Sequence, residues 1–260
     1  MTALTPDSSL DALRREIDAI DDAILDLLVK RFAATNRVKD AKARDGSIAA
    51  SPFRPAREAA VLRRLLSRCG TGLPADTLVR LWRVILSSST QSQAPVTLHV
   101  THALAQDLAT RISVAQHFCD MQIRIHPDAA ATFAALHRHQ GDLALMAPAS
   151  DWADSFCDGQ AGEAAIIGTL PVAGGSAVPT LLIFGHADPQ QSGDDETILL
   201  TPAPPAGLDG TLWQARSGGW TVSSLPGFLT ADHPPVSSLL AENAGARIAG
   251  RSPRPLKVDT

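Results

Sequence analysis

Apolar residues recur at alternating three- and four-residue spacing near the start of the chain: Leu10, Leu13, Ile17, Ile20, Ile24, Leu27 and Leu28. That spacing predicts an amphipathic helix with a narrow seam to be buried. Asp7, Ser8 and Ser9 offer N-caps before it, and neither Pro nor Gly interrupts the chain from Asp7 to Asp45. A helix of this length cannot cover its seam alone, so it calls for partner helices and for a second subunit. Asp45 and Gly46 end it, and Ser51, Pro52 and Pro55 close the next loop. Pro55 suits the first turn of a second helix, where its missing N–H costs nothing. That helix is expected from about Ala56 to Arg68 with Val61, Leu62, Leu65 and Leu66 as its stripe, and Gly70 and Gly72 end it. A third begins near Pro74 and Asp76, buries Leu78, Leu81, Trp82, Ile85 and Leu86, and runs through Gln93 towards Pro95.

After Pro95 the pattern changes. Val96–Val100 alternates as a strand does, Ala103–Phe118 reads as a helix and Met121–Ile125 as a strand. Asp128–His139 is helical again, and Leu143–Met146, Ala165–Ile167 and Thr180–Phe184 are short apolar strands. Strands alternating with helices predict an α/β layer with some parallel pairing. Beyond Gly185 the chain is rich in Pro, Gly, Ser and Asp, and no elements are assigned there.

Charge divides the chain at the same place. Residues 1–94 hold 15 Lys plus Arg against 11 Asp plus Glu, and residues 95–260 hold 8 against 16. The excess of four cations is too thin for a nucleic-acid face, and it suits a small anionic ligand. No apolar stretch approaches the roughly 18 residues that cross a bilayer. The opening MTALTPDSSL lacks a basic segment followed by an apolar run, so no secretory signal is expected. Cys69, Cys119 and Cys157 are odd in number and far apart, which predicts buried, inert, reduced thiols in a cytoplasmic protein.

The seams carry the candidate chemistry. Continued past Leu28, the first stripe meets Arg31, Thr35, Val38 and Lys42. Arg31 and Lys42 lie three turns apart and share a face at ~100° per residue. The third helix's stripe likewise runs on into Ser89 and Gln93, one turn apart. If these polar ends meet inside a bundle, two inward cations require an anionic partner, because a buried unpaired charge is strongly disfavoured. A bound dianion would serve. The second helix adds Arg57 and Glu58 at its first turn, where a carboxylate suits the helix dipole. Taken singly, each of these residues reads as a solvated side chain or a helix end, and only their joint placement points to a pocket. Arg14 falls about a quarter turn off the face of Arg31 at ~100° per residue, so it would reach such a pocket only across a two-fold dimer.

The stretches LRREIDAIDDAILDLLVKR, DAK, RPAREAAVLRRL and LWRVILSSSTQSQ, in this order and spacing, resemble the all-helical chorismate mutases. The likeness is greatest to the mutase domain that opens bacterial chorismate mutase–prephenate dehydratase proteins, and it covers about residues 10–93. It implies a multidomain chain: an all-α three-helix domain over residues 1–94, forming an intertwined homodimer, followed by a small α/β domain over residues 95–260. It implies the conversion of chorismate to prephenate in aromatic amino acid biosynthesis, without cofactor or metal. The implied site is Arg14, Arg31, Lys42, Arg57, Glu58, Ser89 and Gln93, with Arg14 supplied in trans. In this reading Arg14, Arg31 and Ser89 hold the two carboxylates, Lys42 and Gln93 donate to the ether oxygen, and Glu58 accepts from the ring hydroxyl. Arg54 stands where the family often has an acidic residue. An isochorismate pyruvate lyase, which uses a similar helical pocket, and a non-catalytic aromatic amino acid sensor are the alternatives.

The later stretches GDLALMAP, VPTLLIFG, SGDDETILL and ARIAGRSPRPL resemble worn fragments of a prephenate dehydratase lobe and its trailing amino-acid-binding domain. That family's Thr-Arg-Phe triplet would fall on Pro179, Thr180 and Leu181, so no dehydratase activity is expected and a regulatory or stabilising role is. The pairs His99 and His102, and His137 and His139, lack a third ligand at metal spacing and are expected to be ordinary surface or core histidines. Gly174, Gly175 and Ser176 lack the framing of a phosphate loop. If Gln93 donates to the ether oxygen, Gln93→Glu keeps activity only at acid pH, since an ionised carboxylate cannot donate. A flat pH profile of turnover in that variant contradicts the assignment.

Overall fold

The protein is described by a computed structural model covering residues 10–44, 51–119, 121–175, 177–205 and 209–258. The expected N-caps Asp7, Ser8 and Ser9, the Asp45–Gly46 stop and Ser176 lie outside the described residues. The chain divides into two compact units, Met1–Ile48 and Ala49–Thr260.

The first unit is one helix, α1 (Leu10–Arg44), of 35 residues and so about 53 Å long. The uninterrupted sequence explains its length. Its apolar seam lies open: Leu10 is 63% exposed, Ile17 57% and Ile24 50%. Leu25, Leu27 and Val29 are exposed as well. Among the described residues no helix is long and apolar enough to cross a membrane.

The second unit opens with α2 (Pro55–Cys69) and α3 (Ala75–Gln93), close to the expected bounds. Pro55 starts α2, and Gly70 leaves it at φ 58, a conformation that glycine adopts without cost. Leu62, Leu78 and Leu86 pack together with Leu256 from the far end of the chain. A second row of α3, namely Val79, Arg83, Ser87 and Thr90, is also buried. Leu81, expected in the stripe, falls outside both rows and is 50% exposed.

Next come β1 (Thr97–Thr101), α4 (His102–Gln106), α5 (Leu108–Phe118), β2 (Gln122–His126), α6 (Ala129–Arg138) and β3 (Leu143–Met146). The single helix expected over Ala103–Phe118 is two. Asp107 is extended there, and its carboxylate caps α5 by accepting from Thr110 N at 2.7 Å. The chain goes on as α7 (Ala153–Cys157), β4 (Ala165–Leu170), β5 (Leu181–Gly185), β6 (Asp195–Thr201), β7 (Trp213–Ser217), β8 (Trp220–Pro226), α8 (Pro234–Glu242) and β9 (Arg247–Pro253). The last six of these except β5 had no clear counterpart in the hydropathy pattern.

Among the described residues the nine strands form one mixed sheet, in the order β2-β1-β3-β5-β4-β9-β6-β8-β7. The sheet therefore holds more strands than the hydropathy pattern assigned. β1 pairs in parallel with β2 and β3, and β3 pairs antiparallel with β5. Strand side chains alternate between the faces, and both faces are covered. Leu143 and Leu145 enter one core with Phe118 and Ile183, while Ala144 and Met146 enter the other with Phe133, Trp152 and Phe184.

Within the second unit α2 and α3 share their burial with the sheet region. Arg83 and Ser87 bond to carbonyls at the end of α5, and Leu256 completes the cluster of Leu62, Leu78 and Leu86. Cys69, Cys119 and Cys157 are half-buried, where the sequence reading expected burial. The two halves of the sheet meet where β4 and β9 pair in parallel at Ile166 and Gly250. A Cβ at Gly250 would stand 2.0 Å from the Ile166 carbonyl oxygen. Backbone cannot yield as a side chain can, so Gly250→Ala is expected to cost at least about 2 kcal/mol. Urea unfolding checks this, and a wild-type midpoint would show that the seam tolerates a methyl group.

Candidate functional site

Three of the seven expected site residues lie on α1. Arg14 is exposed, and its Nη1 pairs with Asp11 Oδ1 at 3.3 Å one turn away. Arg31 is half-buried, and burial lowers its guanidinium from the ordinary value. Lys42 lies within the helix, and its side chain is outside the described residues. The other four belong to the second unit. Arg57 is exposed on the first turn of α2, beside the buried Glu58. Ser89 Oγ donates to the Ile85 carbonyl at 2.6 Å, and Gln93 Nε2 donates to the Ser89 carbonyl at 3.2 Å. The structure brings Ser89 and Gln93 together as helix neighbours, each bonded to the backbone of α3.

Glu58 has a partner that the sequence reading missed. Arg83 Nη1 donates to its Oε2 at 2.5 Å, with both side chains buried. Arg83 also donates from Nε and Nη2 to the His117 carbonyl, at 3.3 and 3.0 Å. All of this lies at the join of α2, α3 and α5. Burial, and then the charge of Arg83, push the His117 imidazole well below its ordinary range, so the ring is neutral. Its Nε2 is buried without a hydrogen-bond partner among the described residues. A small cavity of ≈ 30 Å³ is lined by Glu58, Arg83 and His117. The signal for Arg83 is the row Val79, Arg83, Ser87 and Thr90 at helical spacing, a second face that the apolar stripe conceals.

A second polar cluster joins β1, β2 and the turn before β3. His99 Nε2 lies 3.1 Å from Asp142 Oδ2, and His99 Nδ1 lies 2.9 Å from His126 Nε2. Asp142 Oδ1 accepts from Thr97 N at 2.8 Å. Burial lowers the pKa of both histidines. A neutral His99 that donates through Nε2 to Asp142 can accept at Nδ1 from His126. The arrangement satisfies buried groups and ties neighbouring strands. Among the described residues no group of three or more His, Cys, Asp or Glu could hold a metal ion.

A third cluster surrounds Glu196 on β6, in the region left unassigned from sequence. Its carboxylate is buried and accepts from Trp213 Nε1, Ser224 Oγ and Thr169 Oγ1. Burial raises its pKa despite these bonds and the nearby Arg254.

Comparison with known proteins bears on the helices. Residues 13–94 match the family model of chorismate mutase type II. The match takes in nearly all of α1 and the whole of α2 and α3, and all seven expected site residues lie inside it. The chain thus carries an N-terminal helical chorismate mutase type II domain followed by an α/β region with a large mixed sheet. No curated protein matches the sequence. Among solved structures the chain is similar to one described as "GqqA- a novel type of quorum quenching acylases", at 16% identity and a TM-score of 0.39. The alignment covers 60% of this chain and 94% of that one, and at such a score it carries no argument.

Removing one partner of the Glu58–Arg83 pair leaves the other charge buried, which costs about 3–5 kcal/mol. Arg83→Met alone is expected to destabilise by that amount in chemical unfolding. Adding Glu58→Gln is expected to recover most of the loss. If the double variant is no more stable than the single one, the cost arises from the lost bonds to His117 and not from the uncompensated charge.

Proposed function

We propose that this chain isomerises chorismate to prephenate by Claisen rearrangement, with Arg14 supplied by a second copy. The observation that carries the reading is the family match over residues 13–94, which supports chorismate mutase activity in general. Dimerisation is supported by the seam of α1. A helix with Leu10, Leu13, Ile17, Ile20 and Ile24 each at least 44% exposed needs another surface to cover it.

The rearrangement is unimolecular, so the side chains act by holding and by charge. Binding the flexible substrate in its reactive chair removes part of an entropic barrier. Arg14 and Arg31, with Ser89, would hold the two carboxylates. Lys42 and Gln93 would donate to the ether oxygen as it gains negative charge in the transition state. Turning Gln93 from the Ser89 carbonyl to the substrate exchanges one hydrogen bond for another. Glu58 would accept from the ring hydroxyl through the oxygen that Arg83 does not engage, and Arg57 would shape the pocket's edge.

The α/β region would stabilise or regulate this site and would not dehydrate prephenate. Support for the stabilising part comes from Arg83 and Ser87 of α3, which bond to the carbonyls of His117 and Phe118. The same helix carries Ser89 and Gln93.

Purified full-length protein given chorismate is expected to form prephenate, and Lys42→Ala to lower turnover at least about 10²-fold. A loss below threefold removes Lys42 from the proposed chemistry. Phenylpyruvate formed from prephenate at neutral pH would overturn the reading of the second region.

A further inference from the structure

Glu58 sits on the first turn of α2 and keeps 10% of its side chain exposed, against 4% for Arg83. Arg83 Nη1 donates to Glu58 Oε2 at 2.5 Å, and among the described residues Oε1 accepts no hydrogen bond. The pairing is therefore one-sided. A fork-on-fork contact would engage both carboxylate oxygens and leave less for any third group. Here the guanidinium turns its other edge to the His117 carbonyl, which accepts from Nε at 3.3 Å and from Nη2 at 3.0 Å.

Left to itself, a glutamate carboxylate turns easily about its last bond, whose torsion is broad and two-fold. Arg83 removes that freedom. A planar guanidinium with two donors on one backbone carbonyl has little room to tilt. It holds Oε2, and because the two oxygens share a plane with their carbon, it also fixes where Oε1 points. The same cation compensates a carboxylate that has little water around it. A lysine would keep the charge and lose the fork, since an ammonium on a flexible stem is a point donor without fixed geometry.

We propose that Arg83 is a positioning residue for the mutase reaction, aiming the free oxygen of Glu58 at the ring hydroxyl of chorismate with the His117 carbonyl as its anchor. This role rests on the isomerase reading above and adds a residue to it. It also gives the α/β region a task in that chemistry, because the group that orients Arg83 lies near the end of α5. Arg83 itself touches no substrate atom. Its loss acts through the hydrogen bond between Glu58 and the hydroxyl, so the effect is confined to substrates that carry that hydroxyl. A merely structural role predicts the same loss for every substrate.

Steady-state kinetics of the full-length protein test this with chorismate and with its analogue bearing hydrogen in place of the ring hydroxyl. Arg83→Lys keeps the charge, and Arg83→Gln, with a neutral amide donor, is the second variant should the first fail to fold. Either is expected to lower kcat/KM for chorismate about tenfold or more, the loss from one hydrogen bond to a charged acceptor. The value for the analogue is expected to change less than about twofold, as for an independent site. Where the analogue reacts too slowly to follow, its inhibition constant against chorismate takes the place of its kcat/KM. The ratio between the two compounds does not depend on how much of a variant is folded. The proposal is overturned if a folded variant keeps the wild-type kcat/KM for chorismate, or if it loses both compounds alike. Wild-type protein without mutase activity overturns the isomerase reading itself, and the role of Arg83 with it.

Discussion

The contact between Arg83, Glu58 and the His117 carbonyl joins three helices, α2, α3 and α5. Arg83 is 3% exposed and Glu58 7%, so neither charge has water to fall back on. Each is tolerable only because the other is there, and because Arg83 finds the His117 carbonyl for its remaining donors. That constraint holds α2 and α3 in register with each other and with α5. The hairpin carrying Glu58, Ser89 and Gln93 therefore belongs structurally with the sheet, although the family match assigns it to the helical domain. A buried ion pair of this kind is weak evidence for net stability, but it is strict about geometry.

The long helix α1 presents the opposite situation. It meets every local requirement of a helix, with good formers throughout and no breaker, yet its apolar seam is left open. Propensity can shape such a segment, but only packing can stabilise it in water. In the proposed reading a two-fold partner would cover the apolar seam along residues 10–24.

Within the α/β region the main organising device is strand alternation. β3 and β5 send successive residues to opposite cores, so a run of apolar residues covers both faces at once. β6 departs from this pattern, with Asp195, Glu196, Thr197 and Thr201 all buried, and Glu196 draws donors from neighbouring strands.

Much of the helical part was legible in the sequence. Spacing along α1, Pro55 at the start of α2 and Gly70 at its end are local signals, and each depends on residues within a turn or two. The short apolar strands up to β5 were legible for the same reason. The candidate mutase residues were legible as polar continuations of apolar stripes, and as a family resemblance. Arg83 was hidden because a buried arginine looks like a surface one until its carboxylate is found 25 positions away. Glu196 was hidden because its donors Thr169, Trp213 and Ser224 lie on other strands, 17 to 28 positions away. The break between units at residue 48 was likewise decided by tertiary structure. Local periodicity specifies where an element lies and which face is apolar, whereas ion pairs, cavities and shared cores depend on long-range contacts that no single segment encodes.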